Sequence, residues 1–190
     1  MIVATVLLAA AVPLFTDLGS YHRPISTKNP TAQKYFDQGL RLVYGFNHDE
    51  AERAFREAAR LDPACAICFW GVGLTLGPNI NLPIDPDRNA KAVEAVAKAK
   101  AIAPAADGVE RALIDALAVR YASDPAADRA KLDEAYANAM RDVHKRFTID
   151  DDVATLYAES LMDLRPWKFW NLDGTPAPGT LTSWRRSRAC

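Results

Sequence analysis

Residues 46–71 read FNHDEAERAFREAARLDPACAICFWG, and two kinds of chemistry compete in them. His48, the acids beside it and the Cys65-x-x-Cys68 pair are groups that can hold a metal or run a redox step. Ala51, Phe55, Ala58 and Pro63 instead fall at the spacing of packing residues on a helix. The surrounding sequence decides between the two.

Counting back from Pro63, Ala58 lies five residues before it, Phe55 eight, Ala51 twelve, Gly39 twenty-four and Tyr35 twenty-eight. Gly39 and Ala51 let two antiparallel helices approach closely, and Phe55 fills the space between them. Pro63 cannot continue a helix and disfavours helical backbone at Asp62, so the second helix stops there. Residues 32–65 resemble one complete tetratricopeptide repeat, with an aromatic, Gly, Ala, Phe, Ala and Pro in register. A second unit over 66–106 carries Phe69, Gly73, Ala92, Ala99 and Pro104 in the same order, once about seven inserted residues are allowed. The insertion is GPNINLPIDPDR, residues 77–88, whose prolines and asparagines read as a stiff loop.

A looser unit spans 107–150. It begins with an amphipathic helix over 108–122, followed by Asp124 as a cap and Pro125 at the first position of a helix running to about Phe147. Half a unit follows over 151–165, and residues 166–190 read as an irregular tail. Its last ten residues, LTSWRRSRAC, continue no repeat and read as a truncated or frameshifted end. The expected fold is all-α: antiparallel helix-turn-helix repeats forming a TPR-like right-handed α-solenoid over residues 19–165.

Beyond the general repeat, YHRPIST, FNHDEAERAF, DPACAICFWG, LGPNIN, ERALIDALA and LYAESLMDLRPW resemble a group of uncharacterised bacterial exported TPR proteins, over roughly residues 19 to 180. The resemblance implies a fold and a location in the cell envelope. It implies no established catalytic activity, and the last ten residues depart from its pattern.

Composition agrees with a globular chain: 190 residues, 49% hydrophobic and 25% charged. A net charge of −1 argues against a nucleic-acid partner, which needs a basic excess. The first fifteen residues, MIVATVLLAAAVPLF, are apolar and uncharged. They are too short to span a membrane, which takes roughly 20 residues. They fit the apolar region of a secretory signal within segment 1–18, with a buried strand or helix as the rival reading. The expectation is an exported protein, periplasmic or envelope-associated, with at most an N-terminal membrane association.

The chemical candidates have plainer readings. In the repeat register His48 occupies a half-buried turn position; the rival makes it a metal ligand with Asp49 or His22. Cys65 and Cys68 flank the start of the second unit, as small buried residues or as a disulfide. A zinc site would need two more ligands, and no second pair follows. His144, in RDVHKRF, reads as a solvated surface histidine, and Asp150, Asp151 and Asp152 as acids at a helix N-terminus. No nucleophile motif such as Gly-x-Ser-x-Gly occurs, so no catalytic residue and no cofactor are expected.

The same register places Gln33, Phe36, Leu40 and Val43 of the first unit, and Ile67, Trp70, Leu74 and Gly77 of the second, on the concave face. Phe36, Leu40, Val43, Trp70 and Leu74 make that face apolar and aromatic, suited to an extended or helical peptide. The strip is either open or filled from within, by the segment around Tyr21 to Ile25 or by the loop from Pro78 to Pro86, which leaves the helix bearing Trp70. The function expected is a non-catalytic scaffold or peptide-binding module of the bacterial envelope. The alternative is a metal-binding or redox-active envelope protein using His22, His48, Cys65 and Cys68.

Overall fold

The computed structural model of the chain describes residues 12–103, 108–124, 126–178 and 180–181. Most of the segment read as a secretory signal, and residues 182–190, lie outside the described residues. Among the described residues the chain is all-helical, with seven α-helices and only isolated bridges besides. They are α1 (Pro30–Tyr44), α2 (His48–Leu61), α3 (Ala66–Leu76), α4 (Pro86–Ile102), α5 (Gly108–Ala118), α6 (Arg129–Arg146) and α7 (Asp151–Asp163). None is long and apolar enough to cross a membrane.

Local sequence explains most of the boundaries. The side chains of Asn29, Asn47, Asp85, Asp128 and Asp150 each accept a hydrogen bond from an otherwise unpaired amide of the first turn that follows. Pro30 and Pro86 occupy first positions, where a missing N–H does no harm. Asp62 ends α2 in extended backbone just before Pro63, as the restriction on the residue before proline requires. Phe46 adopts a φ of 58°, which lets the chain reverse between α1 and α2.

α3 is the centre of the molecule. AICFWGVGLTL is apolar on every side, and every residue of it except Phe69 is buried. It packs against α1, α2, α4 and α5. Close approach is built into its neighbours. A Cβ added to Gly39 would lie 2.7 Å from the Phe55 ring, and one added to Gly71 would lie 2.4 Å from it. A Cβ on Gly73 would lie 2.6 Å from Val96 in the same way. Gly39 over Phe55 and Gly73 over Val96 are thus the same contact in two successive helix pairs. Ala51, Phe55, Ala58, Ala92 and Ala99 are all fully buried, as packing residues must be.

Three boundaries differ from the sequence reading. The loop read over 77–88 gives way to α4 at Pro86, because Asp85 caps the helix and Pro86 takes its first position. α5 stops at Ala118 rather than at 122, because Val119 and Arg120 turn away. α6 begins at Arg129, because Asp128 provides the cap. Asp124 closes a turn instead, its side chain accepting from Ala126 N at 2.9 Å and its carbonyl from Ala127 N at 3.1 Å. Pro125 lies outside the described residues.

The core changes character beyond α4. Arg120 is 1% exposed. It donates to Asp163 at 2.6 Å and to the carbonyl of Pro78 at 3.0 Å, pairs with Asp133 at 3.4 Å, and lies over the Tyr136 ring at 4.5 Å. His144 is buried, not solvated as its charged neighbours suggest, and stacks on Tyr157 with 5.6 Å between ring centroids. Tyr136, Met140, Val143 and His144 share one stripe of α6, and that stripe faces α7.

Candidate groove and cleft

All five residues expected to line a binding strip are buried: Phe36 is 0% exposed, Leu40 1%, Val43 8%, Trp70 3% and Leu74 5%. The open version of the strip is therefore corrected. Phe36 meets Phe55 edge-on at 5.3 Å, inside the α1–α2 pair. α5 docks on α3, where the Tyr121 hydroxyl donates to the carbonyl of Gly73 at 2.7 Å. The loop from Pro78 to Pro86 reaches the strip at its Val43 end, where Ile80 shares a cleft wall with Val43 and Tyr44. The rest of the loop meets the α1–α2 turn and Arg120.

The α1 face is covered by the chain's own N-terminal strap, residues 12–27. Gln38 donates to the carbonyl of Pro13 at 2.9 Å and accepts from Phe15 N at 2.8 Å, and Tyr35 donates to the carbonyl of Val12 at 2.7 Å. Further along, Arg41 donates to the carbonyl of Tyr21. Gln33 donates to the carbonyl of Arg23 at 2.8 Å and accepts from Ile25 N at 3.0 Å. Asp37 accepts from Arg23 N at 3.2 Å. Leu18 and Ile25 pack on the core. Gln33, Asp37 and Arg41 follow one line along the helix, at spacings of four, so one face grips the strap from Tyr21 to Ile25, while Tyr35 and Gln38 hold it at Val12 to Phe15.

Arg23 crosses from the strap to the start of α7. Its guanidinium makes two parallel bonds to Asp150, at 2.8 and 2.9 Å, and a third to Asp152 at 2.6 Å. Burial works against the charge of Arg23, yet the bonds from both carboxylates outweigh it and hold the proton more firmly than usual. Burial likewise pushes Asp150 up, but the bonds from Arg23 and from Val153 N leave it below the ordinary carboxylate value. Asp152 also accepts from the Tyr44 hydroxyl, whose pKa burial and the neighbouring carboxylate push well up. Asp150 and Asp152 thus do more than cap a helix.

Beside Arg23 opens a cleft of about 520 Å³. Tyr21, Val43, Tyr44, Phe46, His48, Ile80, Leu156 and Met162 form most of its wall. Phe46 is 52% exposed, held outward by its left-handed backbone. His48 is half-buried at the start of α2, and burial, opposed by the bond its ring donates to the Phe46 backbone, lowers its pKa. Glu159 closes the α7 side. The residue is half-buried as a whole, but its Oε2 atom is enclosed without a hydrogen-bond partner. Burial first, and the charge of Asp163 second, push its pKa up to about 8. Asp163 is raised to about 6 by burial, against the pull of Arg120.

The proposed ligands of the metal or redox reading are placed separately. Cys65 and Cys68 form a disulfide, fully buried at the start of α3, with Cα atoms 5.4 Å apart. Of the two plainer readings of the pair, the disulfide is the one found. His22 sits on the strap, its Nδ1 2.7 Å from Asp37, while His48 faces the cleft. Among the described residues, no group of three or more His, Cys, Asp or Glu side chains is placed to hold a metal ion.

Sequence reasoning missed Arg23, Glu159 and the Arg120 cluster. The run Asp150-Asp151-Asp152 was the available signal, since so much negative charge needs a cation, but no local pattern names a partner 127 residues away. Compared with models of known families, with curated proteins and with solved structures, the chain has no match.

Proposed function

We propose that this chain is a non-catalytic binding module of the tetratricopeptide-repeat type that holds a protein or peptide partner in the bacterial cell envelope. Support for the repeat comes from the paired contacts of Gly39 with Phe55 and Gly73 with Val96, which recur at the same place in two helix pairs. Support for the location comes from the disulfide, since such bonds persist in oxidising compartments, and from the apolar run at residues 1–15. The metal or redox alternative draws less support, because the sulfurs are buried and already joined.

The cleft beside α7 carries the proposal. It is apolar and aromatic, has the volume of a ligand pocket, and offers Phe46 and Tyr21 at its rim, 52% and 44% exposed. Exposed aromatics at the edge of a pocket are the side chains that anchor partners. A pull-down from an envelope extract tests it with two variants. Phe46→Asp should lose the partner while keeping the turn, since aspartate tolerates a left-handed φ. Leu172→Asp, at a fully exposed tail position, should keep it. A partner retained by Phe46→Asp would remove the cleft from the binding surface.

A further inference from the structure

The strap is held largely through its backbone. Between Tyr21 and Ser26 its backbone is gripped by side chains. Arg41 gives to the carbonyl of Tyr21, Gln33 to that of Arg23, and Gln33, Asp37 and Glu110 accept from the amides of Ile25, Arg23 and Ser26. These bonds read backbone, so any extended chain in the same register can make them. Side chains of the strap are held as well: His22 Nδ1 lies 2.7 Å from Asp37, and Arg23 carries the charge. Arg23 is gripped by two carboxylates at the head of α7, and its side chain is 11% exposed.

We infer that the groove between α1 and the N-termini of α5 and α7 is a binding site for an extended, arginine-bearing peptide of a partner protein, and that residues 21–26 occupy it as an intramolecular stand-in. The inference rests on the reading of the chain as a peptide-binding module. Charge sets the ligand class. Asp150 and Asp152 are largely shielded from water, and removing a cation from such a pair is strongly unfavourable. The strap can therefore leave at little cost only if the arriving peptide brings its own cation. Two parallel bonds to Asp150 match a guanidinium fork and not an ammonium point charge, so arginine is preferred to lysine. Pro24 favours extended backbone at Arg23, which the groove requires of its occupant.

The test uses the full chain and a fluorescent peptide of residues 21–27, YHRPIST, followed by anisotropy. Wild type, with its groove filled, should bind weakly. Arg23→Ala, with the strap loosened, should bind at least tenfold more tightly. The same peptide with lysine in place of arginine should bind Arg23→Ala at least tenfold more weakly, and adding Asp150→Asn should remove the preference. Equal binding by wild type and Arg23→Ala, or equal binding of the two peptides, would overturn the inference. So would a wild-type dimer in which two copies exchange straps.

Hydrogen exchange on the wild-type chain decides the matter if Arg23→Ala does not fold. Amides of Arg23, Ile25 and Ser26 should exchange by local opening, at least tenfold faster than those inside α1. Exchange at the α1 rate would make the strap a permanent part of the core and end the proposal. Phe46 has no bond to the strap's backbone, so a partner retained by Phe46→Asp would sink the cleft while leaving the peptide result standing.

Discussion

From α1 to α4 the interior is mostly alanine, glycine, phenylalanine and other apolar side chains in direct contact, with Asp37 and Gln38 buried under the strap and Thr75 within α3. From α5 to α7 it also encloses an arginine, a histidine and several carboxyl groups. Both halves bury helix faces of similar length, but by different physics. The first relies on shape: Phe55 fits because Gly39 and Gly71 leave room for its ring. The second relies on charge balance: Arg120 is tolerable in the core only because Asp163, Asp133, the Pro78 carbonyl and the Tyr136 ring surround it. A shape-based core is indifferent to pH, whereas a charge-based one is not.

The largest effects should come from removing each centrepiece. Arg120→Ala is expected to cost about 3–5 kcal/mol, because it strands buried carboxyl groups without their cation. Phe55→Ala is expected to cost a similar amount, about 3–5 kcal/mol, through the cavity it leaves. Urea unfolding at several pH values separates them. The deficit of Arg120→Ala should shrink in acid, where Asp163 becomes neutral, while that of Phe55→Ala stays constant. Equal pH profiles would erase the distinction between the halves.

A smaller effect sharpens the shape argument. Gly71→Ala would place a methyl group 2.4 Å from the Phe55 ring, and overpacking of this kind costs about 1–3 kcal/mol. Thermal unfolding checks it, and an unchanged Tm would mean that the ring has room to move.

The last effect concerns Glu159, and its size is set by pH. Burial, with the charge of Asp163, holds its pKa well above the ordinary 4.5 in the folded chain. The folded state therefore binds this proton more tightly than the unfolded state does. Its contribution to stability is fully present below the ordinary value and is lost as pH rises towards the folded one, with a slope on the order of 1 kcal/mol per pH unit. Glu159→Gln should flatten that slope and leave the variant more stable than wild type at about pH 8. Denaturant midpoints at about pH 5 and about pH 8 measure both points.

These two halves also differ in how far their sequences can be read. Ala51, Phe55, Ala58 and Pro63 place themselves, because the pairing of helices adjacent in the chain is local. The burial of His144 was legible too, as part of the stripe with Tyr136, Met140 and Val143, but its charged neighbours in RDVHKRF masked it. Arg120 has no such signature. Its partners lie 13 and 43 residues further on, and nothing in the local pattern separates it from a surface arginine. Glu159 is likewise one acid among many until α7 is packed.

The candidate site divides in the same way. Phe36, Leu40, Val43, Trp70 and Leu74 are apolar in the sequence, and the sequence alone determines that they will be removed from water. It does not determine what removes them, since a partner, a loop and the chain's own N-terminus all satisfy the hydrophobic effect equally. That choice was made by the tertiary structure: Phe55 meets Phe36 inside the α1–α2 pair, α5 docks on α3, and Ile80 reaches Val43. Helix formation and pairing follow from local spacing because their interactions lie within a few turns. The strap and the cleft depend on directional, long-range polar contacts, which exist only once the helices have set the distances between them.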